Sequence, residues 1–245
     1  MGRIFAFLYG VICYLIFLVT FLYAIAFVGN IFVPKAIDTG TLRNPLSGAL
    51  LVDAVLLSLF AVQHSVMARQ WFKRAWTRFV PPVLERSTYV LLSSIVLLLL
   101  FSEWTPMGPI IWDVTNPIGR LLLLALFWIG WGTVLVSTYL VDHFSLFGLR
   151  QVYNHLKGRD AEAIPFQSPG LYKMVRHPLY LGFIIGFWST PRMTFGHLFF
   201  AVMTTGYILV AIQFEERDLI RSYGDTYRDY RRKVSMLIPL PRGKG

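Results

Sequence analysis

Charge and cysteine are both scarce in this sequence. Charged residues make up 15% of the 245 amino acids, against roughly a quarter in a soluble domain, while hydrophobic residues make up 56%. This balance excludes an ordinary soluble domain and indicates a membrane protein. The single cysteine, Cys13, lies in an apolar run, which excludes a disulfide framework and a cysteine-based zinc site. We expect no metal site.

Long apolar runs predict the membrane spans. A spanning helix needs about 20 predominantly apolar residues. Four runs approach or exceed that length with at most one charged residue each, and they are Ile4–Pro34, Leu46–Met67, Ser87–Trp104 and Leu121–Val141.

A fifth apolar region is interrupted. Residues 178–190 are too few for an upright span at about 1.5 Å per residue, and Pro191-Arg192 separates them from a second arm, 193–214. The two arms predict a helical hairpin. Gly182 and Gly186 are four residues apart, a spacing that lets two membrane helices approach closely.

The predicted fold is therefore an all-α polytopic membrane helix bundle of about five spans, the last of which is the hairpin. We expect a single domain over residues 1–245. Four membrane helices occupy 1–141, and a polar loop, the hairpin and a C-terminal helix occupy 142–245.

The basic residues predict the orientation. Lysine and arginine outnumber acidic residues 23 to 13. With the N-terminus in the cytosol, 19 of the 23 fall on the cytosolic side, as the positive-inside rule requires. Both termini, the loop and the tail are then cytosolic. The basic excess therefore indicates topology and contact with anionic lipid headgroups, and no nucleic-acid partner is expected.

The segment Arg176-His177-Pro178 predicts a helix start. Proline is favoured in the first helical turn, so His177 is placed at or next to the N-cap, where backbone N–H groups attract anions. A carboxylate or phosphate group fits such a position. The alternative is that Arg176 and His177 are interface residues whose side chains reach the headgroups.

Tyrosines and glutamates mark the end of the chain. Tyr223, Tyr227 and Tyr230 are spaced to share one helical face, which serves either for packing or as a lid over a flat ring. Glu215 and Glu216 follow the last apolar arm. They either pair with a cationic ligand or with Arg176 or Arg217.

The ordered motifs resemble those of a known family. They are Gly170-Leu171-Tyr172, Arg176-His177-Pro178-Leu179-Tyr180-Leu181-Gly182, Glu215-Glu216, Tyr223-Gly224, Tyr227, Tyr230, Val234 and Pro239. The set resembles integral-membrane methyltransferases related to isoprenylcysteine carboxyl methyltransferase and phospholipid N-methyltransferases. Upstream, 62–69 and 142–151 are similar to a narrower branch, the methanethiol S-methyltransferases and NnrU-like proteins.

This resemblance implies an S-adenosylmethionine site without a Rossmann fold, in agreement with the lack of a glycine-rich loop between strand and helix. Glu215 matches the acidic residue at the methyl-transfer centre of the family. The residues implied to bind the cofactor are Gln151, Phe166, Gln167, Tyr172, His177, Pro178, Leu179 and Tyr180.

One departure from the family concerns the acceptor. The prenylcysteine enzymes are similar in having an arginine four residues before the glutamate, which holds a substrate carboxylate, whereas this chain has Ala211. Lysine and arginine are absent from 193–214. A carboxylate there would be buried without a cationic partner, so a small neutral thiol is favoured.

A thiol acceptor benefits from a base, because a free thiol is mostly protonated at neutral pH. We assign His143 as the base, oriented by Asp142 or Glu215, with Arg150 favouring the thiolate. His64 is the competing base, and it forms the candidate substrate-binding pair with Gln63.

The sequence therefore predicts an S-adenosylmethionine-dependent methyltransferase that converts methanethiol to dimethyl sulfide, located in the bacterial inner membrane. Hydrogen sulfide, a prenylated acceptor and a lipid acceptor are alternatives. A non-catalytic haem protein is another, with His64, His143 and His177 as axial ligands. The expected partners are the thiol and membrane lipids, and no protein partner is required.

Overall fold

The computed structural model describes residues 2–40, 45–159 and 166–239, and helices dominate these ranges. The helices are α1 (Arg3–Gly29), α2 (Leu46–Met67), α3 (Gln70–Trp76), α4 (Pro82–Glu103), α5 (Pro117–Val141), α6 (His143–Leu146), α7 (Leu149–Lys157), α8 (Pro178–Trp188), α9 (Phe195–Tyr223) and α10 (Asp225–Lys233). A 3₁₀ turn covers Gly170–Lys173. Two short strands, β1 (Ile110–Asp113) and β2 (Arg192–Thr194), form a two-stranded sheet.

Within the described residues, five helices are long and apolar enough to cross a membrane, namely α1, α2, α4, α5 and α9. The prediction of an all-α polytopic membrane bundle is confirmed, and the chain is an integral membrane protein. The bounds of α2 agree with the predicted run. Helix α5 starts four residues before its run because Asn116 caps it, with its side-chain oxygen accepting the N–H groups of Ile118 and Gly119 at 3.0 Å.

Helix α9 runs past the predicted end at Phe214 and carries Glu215 and Glu216 within its last turns. The polar residues after Phe214 continue the helix because α9 leaves the apolar region without a helix-breaking residue before Gly224. The glutamates are therefore held by a regular helix and not by a loop.

The chain forms two compact units that alternate along the sequence. The first comprises Met1–Ile111, His143–Glu162 and Met193–Leu198, and the second comprises Trp112–Asp142, Ala163–Arg192 and Phe199–Gly245. The single domain over 1–245 stays a prediction.

In the first unit, α1 packs against α4 and α7, and α2 packs against α4. Gly10 allows the close contact with α7, because a Cβ atom there would come 2.5 Å from Cγ2 of Val152. Val152 is fully buried together with Ala6 and Leu84. Tyr9 and Thr88 add a hydrogen bond of 3.0 Å between α1 and α4.

A polar cluster anchors the connection after α1 in the same unit. Asp38 accepts hydrogen bonds from Asn30 at 2.8 Å and from Thr194, and its carboxylate lies 3.4 Å from Nδ1 of His197. Burial acts to raise the pKa of Asp38, but the hydrogen bond and charge of His197 outweigh it and lower that pKa.

In the second unit, α8 packs against α5 at backbone distance. A Cβ atom on Gly130 would lie 2.6 Å from the nitrogen of Gly186, and one on Gly182 would lie 2.6 Å from the oxygen of Gly130. The predicted close approach at Gly182 and Gly186 is confirmed, and the helix that they approach is α5. The hydrogen bond from Trp188 to Thr205 joins α8 to α9 as the two arms of the hairpin.

Candidate functional site

A buried ion cluster lies at the start of α8 in the second unit. Glu216 on α9 receives the Nε–H of Arg176 at 2.7 Å, and Nε2 of His177 lies 3.1 Å from the same carboxylate oxygen. Nε of Arg231 on α10 lies 3.3 Å from the second oxygen. The side chains of Arg176, His177 and Glu216 are each 5% exposed or less. We call these four residues the Glu216 cluster.

Arg176 also holds the segment that follows α10. Its Nη1 donates to the carbonyl oxygens of Arg231 at 3.2 Å and Val234 at 2.6 Å. The backbone N–H groups of Arg176 and His177 donate to the carbonyl oxygens of Ser235 and Met236. The end of the described chain is thus bound to the entrance of α8.

This geometry answers two questions that the sequence left open. Arg176 and His177 are buried, so they are not interface residues reaching for headgroups. Glu216 pairs with Arg176, and Arg217 is not part of the cluster. Arg231 is a member that sequence reasoning missed, because no spacing relates it to Glu216.

The three tyrosines of the C-terminal segment surround one phenylalanine. The ring of Phe166 lies 5.4 Å from that of Tyr223, 5.6 Å from that of Tyr227 and 5.2 Å from that of Tyr230. The Tyr230 hydroxyl donates to the carbonyl oxygen of Tyr172 at 2.6 Å. The prediction of one shared helical face is wrong, because Tyr223 ends α9 whereas Tyr227 and Tyr230 lie on α10, beyond Gly224 with its φ of 57°. The three rings meet at Phe166 instead.

Burial perturbs the tyrosine hydroxyls. It raises the pKa of Tyr230 to about 12. It also raises the pKa values of Tyr172 and Tyr227, with a further upward contribution from the negative charge of Glu215. The charges of half-buried Glu215 and buried Glu216 therefore both reach Tyr227, and the charge of Glu215 also reaches Tyr172.

The structure places most predicted cofactor residues in the second unit. His177 is the N-cap of α8, as predicted, and Pro178 occupies the first turn. Leu179 and Tyr180 follow in that turn, while Gln167 is exposed. Gln151 belongs to α7 of the first unit, where its side-chain nitrogen donates to the carbonyl oxygen of Ser145 at 3.0 Å.

In the first unit, His143 is 6% exposed and lies among aromatic rings. Its Nε2 is 2.9 Å from the hydroxyl of Tyr14 on α1. Edge contacts with Phe144 and Phe147 complete the aromatic surroundings that are described. The predicted base is therefore held by helix α1 as well as by its own short helix.

His64 on α2 faces α4. The hydroxyl of Tyr89 lies 3.0 Å from Nδ1 and 2.9 Å from Nε2, and Ser93 lies 3.3 Å from Nδ1. Gln63 donates to Ser93 at 3.3 Å and to the sulfur of Met67. Both members of the predicted pair, Gln63 and His64, therefore contact the hydroxyl of Ser93.

One aromatic core connects the two histidines of this unit. Phe17 and Phe147 stack with their ring centres 3.8 Å apart, and both pack against the buried cluster of Met67, Tyr89 and Val90. Phe147 contacts His143, whereas Tyr89 contacts His64. His143 and His64 therefore both contact the same packed aromatic cluster, His143 through Phe147 and His64 through Tyr89.

Three charged residues near the predicted base remain to be placed. Arg150 is exposed. Asp142 has a φ of 134°, a conformation that an L-residue adopts only under strain of roughly 1–3 kcal/mol. Sequence reasoning missed Arg86, whose Nε donates to the carbonyl oxygen of Leu146 at 2.6 Å and whose guanidinium lies over the ring of Tyr89.

Known proteins resemble this chain over nearly its full length. It is 59% identical over 241 residues to methanethiol S-methyltransferase of Mycobacterium tuberculosis, covering 98% of each chain. It is 52% identical to methanethiol S-methyltransferase of Crocosphaera subtropica, covering 98% of this chain and 94% of that protein. Nurim of Rattus norvegicus is 34% identical over 68% of this chain and 66% of its own. No protein-family model matches the chain, and no solved structure matches it.

Proposed function

Because this chain belongs to the family of methanethiol S-methyltransferases, we propose that it methylates methanethiol to dimethyl sulfide at a membrane. The observation that carries the proposal is the 59% identity to the Mycobacterium tuberculosis protein of that name over 98% of both chains. The match covers 241 of 245 residues and therefore extends over both units.

The proposed reaction is a displacement at carbon. The sulfur of methanethiol forms a bond to the methyl carbon, the bond from that carbon to the donor breaks with its electron pair, and the thiol proton passes to a base. S-Adenosylmethionine, the proposed donor, would supply a methyl group on a positively charged sulfur. The protein has to position the two sulfurs and exclude water, and alignment of this kind is worth up to roughly 7–11 kcal/mol.

The side chains of the second unit suit such a donor. Glu215 offers a half-buried carboxylate to a positive charge. The first turn of α8, with Pro178, Leu179 and Tyr180, lies at the positive end of the helix dipole and suits a carboxylate. We propose that these residues hold the donor together with Phe166, Gln167, Tyr172, His177 and Pro178.

Gln151 is the proposed donor-binding residue in the first unit. Its side-chain oxygen is buried and has no hydrogen-bond partner within the ranges that the structure describes. A buried acceptor of this kind is costly unless a donor group reaches it. An amino group of the methyl donor has the required chemistry.

We propose that a histidine of the first unit takes the thiol proton. His143 is the favoured base and His64 the competing one, with Gln63 beside His64 at the acceptor. Asp142 precedes His143 and is proposed to orient it, while exposed Arg150 is proposed to act on the thiolate through its charge.

The proposed location is the bacterial inner membrane with both termini in the cytosol. The excess of lysine and arginine on one side of the spans supports this orientation. The cytosol is also the compartment in which we expect the methyl donor. The proposed partners are the thiol and membrane lipids.

Headspace gas chromatography tests the function directly. Cells that express the chain and receive methanethiol should release dimethyl sulfide, and His143→Ala should reduce that release more than His64→Ala. Membranes from the same cells should form dimethyl sulfide from methanethiol only when S-adenosylmethionine is added. Release that does not exceed the empty-vector level, with expression verified by immunoblot, would exclude the proposal.

A further inference from the structure

Tyr14 makes a directed contact with His143. Its hydroxyl is 2.9 Å from Nε2, and the two rings meet edge to face with an angle of 81° and a centroid distance of 5.8 Å. The contact joins α1 to α6, residues 129 positions apart in the sequence. Only one ring nitrogen of His143 is engaged by this hydroxyl, so the ring has a defined orientation.

The other histidine is held differently. The hydroxyl of Tyr89 lies 3.0 Å from Nδ1 and 2.9 Å from Nε2 of His64. A hydroxyl at equal distance from both nitrogens cannot lie along the lone pair or the N–H bond of either one. Phe60 stacks on the same ring. Tyr89 therefore does not select one nitrogen of His64, and the contact that touches one nitrogen alone, from Ser93 Oγ to Nδ1 at 3.3 Å, is longer than the 2.9 Å contact of Tyr14 with His143.

We infer that Tyr14 is a positioning residue that orients His143 and makes it, rather than His64, the base for the acceptor thiol. This inference rests on the proposed function. In the step, the S–H proton moves to a nitrogen of His143, and the sulfur keeps the electron pair that forms the bond to the methyl carbon.

The hydrogen bond to Tyr14 gains strength as the proton arrives. In the imidazolium both ring nitrogens carry hydrogen, so Nε2–H donates to the hydroxyl oxygen of Tyr14 whichever neutral tautomer preceded it. A hydrogen bond from a charged donor is stronger than a neutral one. Tyr14 thus stabilises the protonated base more than the neutral one.

Three other charged residues contact or belong to the segment around His143. Arg86 from α4 donates to the carbonyl oxygen of Leu146, three residues after His143. Asp142 precedes the histidine in the chain, and Arg150 on α7 is exposed. Tyr14→Phe leaves the hydrogen bond from Arg86 to Leu146 intact, because that bond does not involve the hydroxyl of Tyr14.

The test is Tyr14→Phe in the full-length protein, with Tyr9→Phe as the matched control. Tyr9 lies on the same helix and has a side-chain hydrogen bond of 3.0 Å to Thr88. Dimethyl sulfide formation from methanethiol and S-adenosylmethionine is measured across the pH range, with size-exclusion profiles to verify folding.

We expect Tyr14→Phe to lower kcat roughly five- to tenfold, the factor that one hydrogen bond is worth, with an unchanged KM for the methyl donor. The acid limb of the pH profile should move to lower pH, because the protonated base has lost an acceptor. Tyr9→Phe should keep the wild-type rate and profile. In a His143→Gln background, Tyr14→Phe should have no further effect on the rate.

A Tyr14→Phe rate and pH profile equal to those of Tyr9→Phe would overturn the inference. An undiminished effect of Tyr14→Phe in the His143→Gln background would also overturn it, because the hydroxyl would then act elsewhere. Failure of the proposed function is distinct, since wild-type protein would then form no dimethyl sulfide.

Discussion

Replacing Arg176 with alanine tests whether the Glu216 cluster holds the C-terminal segment in place. The guanidinium of Arg176 makes three side-chain hydrogen bonds, to Glu216 and to the carbonyl oxygens of Arg231 and Val234. The variant loses all three and leaves the buried carboxylate of Glu216 with His177 and a half-exposed Arg231.

The expected cost is large because the pair is buried. Removing one partner of a buried ion pair costs about 3–5 kcal/mol, most of it from the charge left behind. For a protein of this size each kcal/mol corresponds to roughly 2–4 °C, so Tm should fall by roughly 6–20 °C. The Tm of Arg176→Lys should lie between the Tm of wild type and that of Arg176→Ala, because lysine keeps the charge but loses the forked geometry of the guanidinium.

Thermal unfolding of the detergent-purified protein provides the measurement. Arg228→Ala is the matched control on α10, where Arg228 pairs with Asp225 at 2.7 Å but both side chains are more than half exposed. An exposed pair contributes about 0–1 kcal/mol, so this variant should unfold close to wild type. Equal Tm values for Arg176→Ala and Arg228→Ala would refute the assignment of stability to the buried cluster.

Two further substitutions test the packing and the polar anchor. Gly182→Ala should destabilise the protein by about 1–3 kcal/mol, because its Cβ would overlap the backbone of α5. Gly132→Ala, where nothing lies within 4 Å, should unfold like wild type, and a matching loss in both variants would contradict the role of close packing. Asp38→Asn should lower Tm at neutral pH, because the lowered pKa of Asp38 means that its carboxylate contributes stability above its ordinary pKa. That contribution disappears as the pH falls through the pKa of Asp38 in the folded state, so the Tm of the wild type should fall more on acidification than the Tm of Asp38→Asn. Parallel curves of Tm against pH would contradict a stabilising role of the ionised carboxylate.

Part of the site was predictable because local features define it. The proline after His177 marks the start of α8, and the spacing of Gly182 and Gly186 indicates a close helix contact. These signals arise from a few neighbouring residues. The helix that accepts the glycines was not predictable, because Gly130 and Gly132 on α5 lack the four-residue spacing, and only Gly130 meets α8.

The partners of the acidic and histidine side chains needed the structure. Glu215 and Glu216 are adjacent and equal in type, and the packing of α9 decides that Glu216 meets Arg176. The hydrogen bond between Tyr14 and His143 joins residues 129 positions apart. A tyrosine in an apolar run carries no sequence signal that distinguishes a hydrogen-bonding role from an ordinary place at the membrane.

The sequence by itself determined the membrane class, the spans and the start of α8, because hydrophobic length and helix capping depend on contiguous residues. Motif order also indicated the family. Only the tertiary structure decided which glutamate pairs with Arg176, which helix contacts the paired glycines and which hydroxyl contacts His143. These features depend on how helices distant in sequence rotate and pack against one another, and no local periodicity encodes that rotation.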